Sequence, residues 1–367
     1  MKKVSLIVVG LLAAAWIAYG AVVWRGRADR PAAPPGEMRG AWHVHTTRSD
    51  GRGALDEVVR AAREAGLHFV VLAEHNVLAP EDGGWRDGVL VITATEASTE
   101  FGHVVALGVS RALQTGERRG DPLGAIAQLG GEAVLAHPLH PRRPFTGWGR
   151  GAWRGFEVVS NDTAWHQALA DRAAGRIVTA ALAMPWDPAR AVLALRDDPR
   201  DELTRFDAEL REARALERGP PKVLLCSADA HGYPSYRAAF EAFSMHVPVK
   251  PTGDAAADAR AVARALLDGS AACVFDGVAP ASGIALARGA DGAPSLRVHA
   301  PAAGRHSFAL WRDGTRVGAV EGAHAGGDLT VALGPACGAS PCGPGVYRVE
   351  ATRDGRPWFL TNPAVLE

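Results

Sequence analysis

The chain has 367 residues, 47% hydrophobic and 22% charged, with 40 Lys and Arg balanced by 40 Asp and Glu. Those proportions are those of an ordinary globular protein with a large core, and the zero net charge argues against nucleic-acid binding and acidic tails. The one excess is histidine, 13 in all, several of them in short motifs.

Residues 1–24, MKKVSLIVVGLLAAAWIAYGAVVW, place two lysines before 21 residues without a charge, Val4 to Trp24. A run of that length matches a membrane-spanning helix and exceeds the usual signal-peptide core. The expectation is an uncleaved membrane anchor with all that follows on the outer, periplasmic side. Cleavage near Ala18-Tyr19-Gly20 and secretion is the alternative. Arg25, Arg27 and Arg30 on the far side of the run weaken the charge signal from Lys2 and Lys3. Residues 25–37 read as a polar, Pro-rich tether.

From Met38 to Asp276 short apolar runs alternate with helical patterns. LDEVVRAAREAG places Leu55, Val58, Val59 and Ala62 on one helical face and stops at Gly66. HFVVLA, GVLVITAT, HVVALGV, AVLAHP, GFEVVS and KVLLCSADAH read as strands. DPLGAIAQLGG carries an Asp cap and a Pro in its first turn. Such alternation with continuously apolar strands predicts an α/β fold, a mostly parallel sheet covered by helices. After about Pro280, segments such as SLRVHAP, HSFALWRDG and GVYRVEATRDG alternate apolar and polar residues between recurring turns. They predict a small all-β, sandwich-like domain over residues 280–367. Cys337 and Cys342 stand close enough in a Gly/Pro loop to pair, whereas Cys226 and Cys273 read as buried thiols.

Polar residues of one chemical kind recur at the strand ends: His43, His45, His75, Glu96, His103, His137, Asp229 and His231. Loops at the carboxyl ends of parallel strands share one face, so these side chains are expected to converge. His43 and His45 stand two apart, as do Asp229 and His231, which lets each pair point the same way from an extended strand. Imidazole and carboxylate without thiolate favour zinc, manganese or iron. His68, His166, His246, His299, His306 and His324 match no motif and read as structural or surface histidines, and His140 is a weaker candidate for the same mouth.

The segments HVHTTRSDG, LAEHN, TEASTEFGHVVALG, AHP and SADAH, in that order, resemble the motifs of the PHP family, named for polymerase and histidinol phosphatase domains. The resemblance covers residues 38–279 and implies a distorted (β/α)7 barrel holding two or three divalent ions. Carried onto this chain, it implies that His43, His45, Glu96 and Asp229 hold a first ion. His103 and His137 would complete a second bridged by Glu96, and Asp50, His75 and His231 would hold a third. Glu74 departs from the family's Asp at that position, which bears on fine positioning. The implied activity is hydrolysis of a small-molecule phosphate ester by a metal-bridged hydroxide. Glu96 and His231 would serve the chemistry, and Arg142 and Arg143, or Arg48, would clamp phosphate. Metal-dependent cleavage of a C–N bond and a non-catalytic envelope binding protein are the alternatives. No protein partner is legible.

Overall fold

A computed structural model describes residues 2–25, 32–195, 199–215, 220–338 and 341–367. The seven strands of a closed barrel are β1 (Met38–Val44), β2 (Phe69–His75), β4 (Val89–Thr99), β5 (Gly102–Leu107), β6 (Glu132–Leu135), β7 (Gly155–Ser160) and β8 (Val223–Ala230), with a short strand β3 (Gly84–Arg86) paired antiparallel to the start of β4. They pair in chain order, and β8 returns to pair with β1. All neighbours are parallel except β5, which runs antiparallel to β4 and β6. That reversal is the distortion of the barrel, and it follows from the tight turn at Glu100-Phe101, too short for a parallel crossover. Gly102 fits this turn. Its φ is +117°, and a Cβ there would lie 2.9 Å from the Phe145 backbone.

Helices cover the outside. The apolar stripe of α2 (Leu55–Glu64) buries Val58, Val59 and Ala62. Two short helices, α3 (Thr115–Arg119) and α4 (Pro122–Gln128), precede β6, and Asp121 caps α4 by accepting from Gly124 N. Between β7 and β8 the chain makes its longest excursion, through α5 (Asn161–Ala170), α6 (Ala174–Ala183), α7 (Pro188–Leu195) and α8 (Arg200–Ala215). After β8 come α9 (Tyr236–Ala242), β9 (Ser244–Val247), α10 (Ala255–Asp268) and β10 (Ala272–Val274).

The composition changes near Pro280, but the hydrogen-bonded ladder continues. Strands β11 (Ser282–Arg288), β12 (Pro294–Ala300), β13 (Gly304–Arg312), β14 (Thr315–His324), β15 (Gly327–Ala332), β16 (Gly345–Arg353), β17 (Arg356–Thr361) and β18 (Ala364–Leu366) form this part. One sheet, β11-β12-β15, faces a second, β14-β13-β16-β17, over an apolar cluster that includes Leu296, Phe308, Val349 and Trp358. The second sheet joins the barrel: β17 pairs with β10, β10 with β9, and β9 with the first half of β1. Buried Arg348 of β16 also grips both oxygens of Asp207 of α8, at 2.9 and 2.6 Å. Cys226 of β8 and Cys273 of β10 are joined in a disulfide rather than standing as free thiols, and Cys337 pairs with Cys342.

The N-terminal segment requires a correction. It forms a helix, α1 (Lys2–Arg25), but among the described residues no helix is long and apolar enough to cross a membrane. The expected transmembrane anchor, the membrane as partner and the periplasmic-side placement drawn from them are therefore not upheld. The helix meets α6 and the turn after it through Trp16 and Gly20, while Leu11 and Leu12 stay exposed. The Trp16 ring meets Trp186 at 5.1 Å, its indole N–H donates to the Leu182 carbonyl, and Gly20 is buried against Trp186. Six of the thirteen tether residues, 26–31, lie outside the described residues.

Buried His246 of β9 ties the two parts together, with Nδ1 3.1 Å from Glu37 and Nε2 3.5 Å from Asp276; Arg39 and His68 stand on its flank. Glu37 in turn accepts from Gly283 N. Burial pushes the imidazole pKa down, but the two carboxylates outweigh it and hold it above the ordinary histidine value. A raised folded value gives stability that is complete below the unfolded pKa, about 6.5, and is lost as pH rises through the folded one. His246→Gln is therefore expected to cost more stability near pH 6 than near pH 9 in denaturant titrations. Equal losses at both would show that its charge contributes nothing.

Candidate metal centre

Glu96 is the centre of the site. It sits in β4, fully buried, and its two oxygens face different histidines. Oε1 lies 2.7 Å from His103 Nδ1 and 3.0 Å from His137 Nε2. Oε2 lies 3.2 Å from His43 Nε2, 3.4 Å from His45 Nε2 and 3.0 Å from His75 Nδ1. Strand register explains this convergence. His75 is the direct partner of Glu96 in the parallel β2–β4 ladder, and the β4–β5 hairpin brings back His103 opposite Ser98.

The first two histidines reach the same carboxylate because β1 is irregular. Its register with both β2 and β8 shifts between residues 41 and 44, and His43 has φ +66°. A shift of this kind re-aims a side chain that a regular strand would place elsewhere. His137 and Asp229 also have positive φ, +28° and +40°. Three non-glycine residues in this region at one site mark backbone strain retained where side chains must converge.

The outer part of the cluster forms around Asp50, which is 54% exposed. Its oxygens lie 3.4 Å from His231 Nε2, 3.6 Å from His45 Nδ1 and 3.4 Å from His75 Nε2. Asp229 Oδ1 lies 3.5 Å from His45 Nε2 and 3.8 Å from His43 Nε2. Gly51 closes the turn after Asp50, where a Cβ would stand 2.5 Å from the His45 carbonyl. All nine residues singled out from the motifs thus meet at one mouth. Within it, three groups are compact enough to hold an ion: His45, Asp50, His75 and His231; His43, His45 and Glu96; His75, Glu96 and His103.

The donor set fits cations. His43 Nε2, His45 Nε2, His75 Nδ1, His137 Nδ1 and Glu96 Oε2 are buried without a hydrogen-bond partner. Native proteins leave few such atoms, because each costs its full desolvation. Charge points the same way. Burial would raise the Glu96 pKa, yet the imidazoles around it hold it well below the carboxylate range. Burial would lower His137, yet Glu96 and Asp229 hold it up at about 9. Negative charge in this pocket draws positive charge, either protons on the rings or metal ions in their place.

Two buried carboxylates behind the cluster do the positioning. Glu157 of β7 accepts from Trp42 Nε1 and faces His43 Nδ1, both at 2.7 Å, while its other oxygen accepts from His137 N at 2.8 Å. Holding the hydrogen on Nδ1 leaves the His43 Nε2 lone pair for the centre. Nothing in the motifs indicates Glu157; its only sequence signal is a lone carboxylate in the otherwise apolar run GFEVVS. Glu74 faces the loop, accepting from Thr46 N at 2.9 Å, from the Thr46 hydroxyl and from the Ser49 hydroxyl. It anchors the turn that carries Asp50.

A cavity of about 330 Å3 opens over the cluster and is also lined by His140, Arg142, Arg143 and residues of the α5–α7 excursion. Arg142 and Arg143 form no ion pair among the described residues. Arg48, by contrast, is committed to Asp82 and Glu81. His68 accepts from Arg39 N, whereas His166 lines the cavity.

No family model and no curated protein matches the chain. Solved structures similar to it include a two-domain protein containing a predicted PHP-like metal-dependent phosphoesterase from Bacteroides vulgatus, at 13% identity and TM-score 0.42 over 92% of this chain and 99% of that one. A candidate metal-dependent phosphoesterase from Bifidobacterium adolescentis has 14% identity and TM-score 0.32, covering 56% of this chain and 90% of that one. An amidohydrolase from Chromobacterium violaceum has 14% identity and TM-score 0.30, covering 52% and 87%. The structural neighbours thus include proteins of the description that the motifs resemble. At these TM-scores they decide nothing about chemistry, which this chain's own side chains must carry.

Glu157→Gln would set an amide N–H against the His137 N–H and weaken the grip on His43. Metal affinity, read by competition with a chelator, is expected to fall about 10–100-fold with the fold intact. Unchanged affinity would show that Glu157 only fills space.

Proposed function

We propose that the chain is a metal-dependent hydrolase of phosphate esters, acting on a small molecule through two or three divalent ions such as zinc, manganese or iron. The observation that supports it is Glu96: one buried carboxylate whose oxygens divide five imidazoles between them. In this account Glu96 is the shared ligand, with His43, His45 and Asp229 on one side and His103 and His137 on the other. Asp50, His75 and His231 would hold an outer ion. When bound, such ions supply a water acidic enough to attack at neutral pH and offset the charge of phosphate oxygens.

The remaining work falls to the protein. Arg142 and Arg143 stand over the cavity and present planar N–H donors that match phosphate oxygens. Their backbone N–H groups both donate to His140 Nδ1, at 3.1 and 3.2 Å, which fixes the loop that carries them. The His231 ring is held by the Asp229 carbonyl and Asp50, which suits it to ion binding rather than proton transfer. The barrel, residues 38–279, would carry the chemistry, and residues 280–367 would brace it through β17 and Arg348.

Glu96→Gln keeps the shape but removes the charge and one strong ligand oxygen. A rate loss of about 10²-fold or more is expected, the scale of losing one preorganised electrostatic element. Asp50→Asn should lose less, because Asp50 serves only the outer group. The direct check is a panel of phosphomonoester, phosphodiester and amide substrates with manganese- and zinc-loaded protein. Turnover of amides and of no phosphoester would replace this account with C–N bond hydrolysis.

A further inference from the structure

The cavity over the cluster has two chemically different ends. One is the cluster itself. The other is built by Trp165, Met184, Val192 and Leu195, all carried by the chain excursion between β7 and α8 rather than by the barrel. We propose that this wall is a leaving-group subsite, and that the substrate is the phosphoester of a compact, largely apolar alcohol, aromatic or alkyl, with a hydrogen-bonding edge. The proposal rests on the phosphoester account above.

Size sets the first limit. A volume of about 330 Å3 is at the small end of ligand cavities, roughly 300–1,000 Å3. It takes one small molecule rather than a polymer strand. The wall is also held from behind. Trp186, two residues beyond Met184, packs on Trp16 of α1, and a Cβ at Gly20 would lie 2.3 Å from its ring.

The polar edge follows from atoms left without partners. Both amide atoms of Asn161, at the start of α5, and His166 Nδ1 are buried without a hydrogen bond among the described residues. Asn161 and His166 both line the cavity. Leaving such groups bare is costly unless a ligand pairs with them.

The neighbouring trio His140, Asp162 and His166 is compact enough to suggest another cation site. Hydrogen bonding argues otherwise. Arg142 N and Arg143 N both donate to His140 Nδ1, so that nitrogen holds the lone pair. Nε2 then carries the hydrogen, directed at Asp162 Oδ2 3.2 Å away. A ring nitrogen bearing hydrogen does not ligate a metal. This end of the cavity recognises by apolar contact and hydrogen bonds.

The test uses the full manganese-loaded chain with 4-methylumbelliferyl phosphate, phenyl phosphate and glycerol 2-phosphate. Comparing variant with wild type cancels the intrinsic reactivity of each ester. Wild type should favour both aryl esters over glycerol 2-phosphate. Trp165→Ala should lower the umbelliferyl-to-phenyl ratio of kcat/KM about tenfold through KM, and Asn161→Ala, at a half-buried helix start, should lower it in the same direction. Inhibition by inorganic phosphate and metal content should stay at wild-type values in both. A ratio unchanged in both variants, or a preference for glycerol 2-phosphate, would overturn the subsite. If no phosphoester is hydrolysed, the phosphoester account fails, and the wall is judged by direct binding of 4-methylumbelliferone. Binding weakened about tenfold by Trp165→Ala supports the subsite, and equal or absent binding rejects it.

Discussion

The structure depends on the burial of one carboxylate. Glu96 has no exposure to solvent and, among the described residues, no cation in ion-pair range except imidazoles, whose charge depends on protons. A buried carboxylate is tolerated only when it is paired. Most features of the mouth supply that pairing. The reversed hairpin returns His103, the shifted strand β1 aims His43 and His45 inward, and His137 accepts a left-handed backbone. Divalent ions, a different one at each oxygen, would meet the same need with fixed charge, and strain and orphaned ring nitrogens gather at this point.

The second layer makes that arrangement definite. Glu157 and Glu74 are about as buried as His43, His45 and Glu96, yet neither belongs to the cluster. Each spends its charge on backbone N–H groups, hydroxyls or ring hydrogens that fix where a histidine or an aspartate stands. The barrel wall is then tied outward through β9, β10 and β17 into the β part, so the sheet that positions His43 and His45 also carries Trp358. The division in composition near Pro280 is therefore not a division in hydrogen bonding.

Much of this was legible because eight of the nine motif residues fall at or beside the ends of apolar runs, and strand ends of a barrel share one face. Their types, imidazole and carboxylate without thiolate, already narrowed the chemistry. Glu157 was hidden because a single acid in an apolar strand has no periodic signal; only the partner across the barrel reveals its use. The Cys226–Cys273 pairing was hidden because two cysteines in apolar runs look alike whether bonded or free. The apolar run of α1 was read as a bilayer span, since hydrophobicity alone does not show that Trp16 and Gly20 rest on Trp186. The cavity wall was equally unreadable: its helices are ordinary in sequence and acquire meaning only where they lean over the mouth.

The central claim is that Glu96 is shared between ions on either side of it. Anomalous scattering from crystals of the full chain grown with manganese tests that claim directly. The account predicts at least two peaks, with Glu96 Oε1 and Oε2 each within ligand distance of a different one. A single peak touching one oxygen, or peaks that leave Glu96 untouched, would contradict it.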